Sequence, residues 1–192
     1  IQRKLFMHNM GHATTAFLGF LNGNTYIWEA CRNSTIKLIA LRALQESAIA
    51  MSNAHGVPLQ KLIEHAEDLI YRFGNRLLGD TVERVGRDPV RKLAENDRLI
   101  GAANLCVKQG VTPVFISLGI AAGYMFAPEK DEFAQKVQDV VKKDGIEKAL
   151  AQFSNLDSTS PIFKYVIDFY NMLKDGVSFE DILERAEKIK NK

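Results

Sequence analysis

Apolar residues recur at helical spacing along nearly the whole chain. Leu5, Phe6, Met10, Ala13, Phe17 and Leu21 predict a first helix over Phe6–Phe20, which Asn22-Gly23 closes. Ser34 opens a long second helix with Ile36, Ile39, Leu41, Leu44 and Ile49 along its apolar side, and Ala54-His55-Gly56 ends it. Pro58 starts a third, where Leu59, Leu62, Ile63, Ala66, Leu69 and Ile70 follow i, i+3, i+4 steps. A polar, arginine-rich connection covers 74–92. Further helices are predicted at 95–108, 112–126, 129–143 and 146–153, the last two parted by Asp144-Gly145. Ser160-Pro161 is expected to cap the penultimate helix, whose face is Phe163, Val166, Ile167, Tyr170 and Leu173. Ser178 is expected to cap the last, with Asp181 placed to answer it. There is no convincing period-2 run, internal repeat or dividing linker. The pattern predicts an all-α fold, one packed multi-helix domain over 1–192.

One stretch changes this picture if it spans a membrane. Residues 111–127, VTPVFISLGIAAGYMFA, contain no charge. A spanning helix needs about 20 apolar residues, and this run is shorter and carries Pro113, Ser117 and Tyr124. It reads as a buried core helix with Thr112 as N-cap and Pro113 at its first position. Gly119 and Gly123 would let a neighbouring helix approach closely.

Composition adds exclusions. The 192 residues are 46% hydrophobic and 25% charged, ordinary for a soluble globular domain. A net charge of +2 argues against nucleic acid or an anionic membrane as partner. Cys31 and Cys106 form no CxxC and no metal-ligand spacing, so they are expected as buried or free thiols in a reducing, cytoplasmic setting. The first residues resemble no signal peptide, and the lack of an initiator Met suggests the second part of a longer protein.

Candidate chemistry concentrates at the start. Lys4, Asn9 and His12 combine a potential base with two hydrogen-bond donors. On a continuous α-helix Asn9 and His12 lie about 60° apart, while Lys4 lies about 80° from His12 but roughly 12 Å down the axis. The bland alternatives are a solvated lysine, a surface amide and a partly buried histidine. His8 and His12 also form H-x-x-x-H, but Asn9 stands where a zinc protease needs Glu. Glu29 is the only third ligand to consider, and no convincing metal set emerges. Arg72, Arg76, Arg84, Arg87, Arg91, Lys92 and Arg98 crowd a second region, mixed with Asp80, Glu83, Asp88, Glu95 and Asp97. Such a mixture is either a solvated ion-pair network or a site for hydroxyls and phosphate, which a guanidinium fork suits.

The pattern Lys-x4-Asn-x2-His resembles the active-site signature of the polyol-specific long-chain dehydrogenases, the mannitol dehydrogenase family. The similarity continues through Ala16-Phe17-Leu18-Gly19, Leu44-Gln45-Glu46 and RFGNRLLGDTVERVGRDPVRKL at 72–93, so it spans essentially the whole chain. The chain looks most like the C-terminal domain of the shorter, phosphate-using members. The resemblance implies a multi-helix domain like the C-terminal domain of 6-phosphogluconate dehydrogenase-like enzymes. It implies metal-independent interconversion of D-mannitol 1-phosphate and D-fructose 6-phosphate with NAD. Lys4 would be the general base, and Asn9 and His12 would donate to the reacting oxygen. Arg84 and Lys92 would contact substrate, with Arg87 and Arg91 as phosphate candidates. Burial and nearby cations would have to bring Lys4 from about 10.4 to roughly 7–8. The chain contains no G-x-G-x-x-G, so NAD is expected on an N-terminal Rossmann domain of the same polypeptide, and the isolated domain is expected to be silent. A free polyol or hexuronate substrate, or a non-catalytic helical interaction domain, are the alternatives.

Overall fold

The structure, a computed structural model, describes residues 2–191. Its helices are α1 (Met10–Leu21), α2 (Ile27–Ala30), α3 (Ser34–His55), α4 (Leu59–Phe73), α5 (Val82–Gly86) and α6 (Pro89–Lys92). They continue as α7 (Ile100–Lys108), α8 (Val114–Tyr124), α9 (Glu132–Asp144), α10 (Ile146–Ser154), α11 (Phe163–Lys174) and α12 (Phe179–Lys190). A π-turn at Lys4–Asn9 precedes α1, and a 3₁₀ turn at Arg76–Leu78 follows α4. The fold is all-α, as the apolar periodicity predicts.

Helix α8 is the axis of the core, and every one of its residues is buried. The expected close approach is real, and the partner is α1. A Cβ on Gly119 would fall 2.6 Å from Thr14 Oγ1, and one on Gly123 would fall 2.8 Å from the Phe17 ring. Both thiols are unpaired and buried. Among the described residues, no helix is long and apolar enough to cross a membrane.

The start of α8 departs from the expectation. Thr112 gives α8 no side-chain cap. The carboxylate of Glu46, from α3, instead accepts the N–H groups of Phe115 and Ile116 at 3.1 Å. A carboxylate suits the electropositive end of a helix, and this one is 2% exposed. Lys190 of α12 closes the arrangement, donating to Glu46 at 3.1 Å and to the Thr112 carbonyl at 2.8 Å. Burial pushes Glu46 up to about 7, against the pull of Lys190 and the two N–H groups.

Two other boundaries differ. Helix α7 begins at Ile100, not near 95, because Asp97 takes the N–H and guanidinium of Arg98 in a local bond that competes with helix. Ser160 accepts the Ile162 N–H and forms a turn instead of capping α11. Ser178 does cap α12, accepting the Asp181 N–H, and its hydroxyl donates back to the Asp181 carboxylate.

The 74–92 connection folds into short helices with caps of its own. Thr81 caps α5, and Asp88, at φ 60°, caps α6. An antiparallel bridge joins Tyr26 to Thr81, and the Ile27 N–H donates to the Asp80 carbonyl at 2.9 Å. That pairing sets Asp80 beside the opening turns of the chain.

Candidate active site

The segment Lys4–Asn9 is a π-turn, which corrects the continuous α-helix expected there. The Met10 N–H, which an α-helix would give to Phe6 O, goes to Leu5 O and Met7 O. Bonding from i to i+5 stacks residues five apart on one face, and turns of this kind cluster at functional sites. Lys4 and Asn9 are five apart. The turn therefore changes the angular relation of Lys4 to Asn9, and His12 follows Asn9 one turn into α1. Met7 is fully buried and anchors the turn. The Phe6 ring packs on α7 at Gly101, where a Cβ would fall 2.7 Å from it.

Lys4 itself is exposed, so this chain does not supply the burial expected to depress it. It lies in the first turn of the described chain, and its charge reaches His8, which burial, Arg72, His65 and Lys4 together hold below the ordinary imidazole range. Asn9 is half-buried.

His12 lies flat on Phe73, with ring centroids 4.7 Å apart, and His8 meets both rings edge-on. Burial, helped by His8, Arg84, Arg98 and Lys92, holds His12 down to about 4, so the imidazole is neutral. Its Nε2 lies 3.4 Å from Asp80 Oδ2. The other oxygen of Asp80 pairs with Arg84.

Lys92 is the buried member of the basic region, 4% exposed, with Nζ donating to the Arg87 carbonyl. Burial, Arg98 and Arg91 lower it to about 8, with Asp88 and Asp131 opposing. Arg84 and Lys92 both act electrostatically on His12, so the structure brings these two toward the catalytic candidates. Arg87 and Arg91 are exposed, and Arg91 is drawn to Asp88 at 3.6 Å.

A cavity of about 160 Å³ opens beside His12, lined by His8, Trp28, Arg72, Phe73 and Asp80 among others. Of Lys4, Asn9, His12, Arg84, Lys92, Arg87 and Arg91, His12 alone lines it, joined by His8 and by Arg72 and Asp80 of the basic region. Arg72, Phe73 and Asp80 fall within the 72–93 segment, yet their spacing gave no sign that they meet His12. Trp28 stands between two guanidinium groups, Arg32 at 4.5 Å and Arg76 at 5.6 Å from its ring centre. The zinc alternative loses its third ligand, because Glu29 is spent capping α2, accepting the Thr25 and Tyr26 N–H groups. Among the described residues no group of three His, Cys, Asp or Glu is placed to hold a metal ion.

Residues 1–174 match the family described as the mannitol dehydrogenase C-terminal domain. The chain belongs to this family. Relatives named mannitol-1-phosphate 5-dehydrogenase include one from Thermoanaerobacter pseudethanolicus, 43% identical over 175 residues, covering 91% of this chain and 45% of that protein. One from Caldanaerobacter subterraneus subsp. tengcongensis is 42% identical, and one from Clostridium acetobutylicum 40%, each over 174 residues with the same coverage. The chain thus spans about 45% of the length of these curated relatives. The family membership accounts for the signature and the 72–93 segment appearing together in one chain.

Proposed function

We propose that this chain is the catalytic and substrate-binding half of a dehydrogenase that interconverts D-mannitol 1-phosphate and D-fructose 6-phosphate. The observation that carries the reading is the π-turn, which sets Lys4 and Asn9 on one face with His12 a turn beyond. The relatives' shared name supplies mannitol 1-phosphate and its carbon 5, and oxidising that carbinol to a ketone gives fructose 6-phosphate. NAD, held by an N-terminal Rossmann domain of the same polypeptide, would take the hydride from the carbinol carbon or return it. The groups described in this chain fit proton handling and substrate contact, and we assign none of them to the cofactor.

In the oxidative direction Lys4, as the free amine, takes the hydroxyl proton. Its exposed position leaves the amine open to a substrate hydroxyl. Asn9 and His12 donate to the oxygen as negative charge grows on it. A neutral imidazole has one N–H, and Asp80 competes for it when it sits on Nε2. Arg84, bound to Asp80, weakens that competition. Lys92, buried and with its charge felt at His12, adds positive potential and a donor for a substrate hydroxyl. Arg72, itself exposed, is the cation that lines the cavity with His12 and is our candidate for the phosphate, ahead of Arg87 and Arg91, which do not line it.

The test is turnover of fructose 6-phosphate with NADH by the full-length protein and its Lys4→Ala variant. A general base contributes on the order of 10²–10⁴ in rate, so the variant should lose that much in kcat. Normal turnover by Lys4→Ala sinks the base assignment. Equal efficiency with fructose and fructose 6-phosphate sinks the phosphate reading.

A further inference from the structure

We infer that Ser47, on α3, is a positioning residue that holds the π-turn open and so sets Lys4 against Asn9. The inference rests on the reading of Lys4 as base. Its starting point is one carbonyl. In an α-helix Phe6 O would accept the Met10 N–H, but here that donor is spent on Leu5 O and Met7 O. The Ser47 hydroxyl takes its place, donating to Phe6 O at 2.7 Å from a side chain only 1% exposed.

The neighbours make Ser47 a fixed point. The residue before it is Glu46, whose carboxylate is tied to the start of α8 and to Lys190, and whose carbonyl accepts the Cys106 thiol at 3.6 Å. One turn earlier on α3, Leu44 fills the space at Gly11, where a Cβ would fall 2.8 Å from it. On the opposite flank Gly101 of α7 receives the Phe6 ring. The π-turn is therefore held at its carbonyl by Ser47, at its ring by Gly101 and at its exit by Leu44.

The consequence for the chemistry is geometric. If the turn relaxed to α-helical register, five residues would rotate about 500°, leaving Lys4 about 140° around the helix from Asn9. In the π register the two share a face. Losing the hydroxyl leaves a half-buried carbonyl without its donor and favours return of the Met10 N–H to Phe6 O. Ser47 is only 1% exposed and its hydroxyl is committed to Phe6 O, so its effect is expected on the chemical step and not on binding.

The experiment uses the full-length protein with fructose 6-phosphate and NADH. Ser47→Ala should lower kcat about tenfold with KM within about twofold, and Ser47→Thr, which keeps the hydroxyl, should restore most of the rate. Wild-type kcat in Ser47→Ala, or equal losses in the Ala and Thr variants, overturns the inference. Lys4→Ala is run beside them, and full activity there condemns the base assignment itself, a result distinct from failure of Ser47 alone. A crystal structure of the full-length wild type decides the point without any variant. Ser47 Oγ on Phe6 O with the Met10 N–H on Leu5 O upholds it, and the Met10 N–H on Phe6 O overturns it.

Discussion

The imidazole of His12 lies parallel to the ring of Phe73, with planes 8° apart. Phe73 ends α4 and His12 opens α1, so the contact fixes one catalytic candidate through the packing of two helices. It also removes water from one face of the imidazole, which keeps the ring neutral and its hydrogen bonding directional. An aromatic wall of this kind restricts the ring without adding a charge, and the one carboxylate facing it, Asp80, is shared with Arg84.

Two buried groups titrate in opposite senses, and this should show in stability. His12, held at about 4 against an ordinary 6.5, contributes stability that is present above pH 6.5 and lost as pH falls through 4. His8 and His65 are shifted in the same direction. Glu46, raised to about 7 from 4.5, contributes stability that is present below pH 4.5 and lost as pH rises through 7. Between pH 5 and 7 each is worth about 2 kcal/mol, and in the wild type they largely offset. Urea unfolding should therefore show that Glu46→Gln loses stability as pH falls across this window, while His12→Gln loses it as pH rises. Parallel profiles for the two variants would contradict the opposite shifts.

The cap of α8 gives a second contrast. Glu46→Ala strands the buried N–H groups of Phe115 and Ile116 and takes one partner from the half-buried Lys190. We expect a loss of about 3 kcal/mol or more in denaturant unfolding. Thr112→Ala leaves the backbone carbonyl that Lys190 uses, and its side chain caps nothing, so it should cost less than about 0.5 kcal/mol. Similar losses from the two variants would restore Thr112 as the cap.

Those boundaries show where the sequence was readable. The all-α fold, the buried α8 and the Gly119–Gly123 contact follow from periodicity and from residue size, which act locally. The cap by Glu46 comes from 69 residues away, so no pattern around Thr112 reveals it. The π-turn is hidden for a similar reason. Its cause is the Ser47 hydroxyl and the space at Gly101, while Leu5, Phe6 and Met10 alone fit an α-helix. The candidate site was half legible. Residue types drew attention to Lys4, Asn9, His12 and the basic region, and resemblance gave them roles. Neither gave a reason to expect Arg72, Phe73 and Asp80 around His12, because α4 and the Tyr26–Thr81 bridge bring them there.

Lys92 should show stability and function pulling apart. Its ammonium is buried on a carbonyl, with Arg98 and Arg91 depressing it to about 8. Folding thus opposes its charge, and that opposition is greatest below pH 8. Lys92→Met keeps the length and apolar stem without the charge, so it should leave the melting temperature unchanged or raise it by a few degrees. If Lys92 also serves a substrate hydroxyl, the same variant of the full-length protein should raise KM for fructose 6-phosphate by on the order of tenfold. A lowered melting temperature with unchanged KM would make Lys92 a structural residue only.

Arg72 provides the sharpest test of the substrate class. It lines the cavity with His8 and His12, and its field is felt at both His8 and His65. A guanidinium there can meet a phosphate with two parallel bonds, whereas a hydroxyl uses only one. Arg72→Gln retains a donor but loses the charge and the fork. In the full-length protein it should raise KM for fructose 6-phosphate by about tenfold or more while changing efficiency with fructose by less than about threefold. The ratio of the two efficiencies is the measurement, since a general disturbance of the cavity lowers both together. If the ratio does not move, the phosphate lies elsewhere, and Arg87→Gln and Arg91→Gln become the variants to compare.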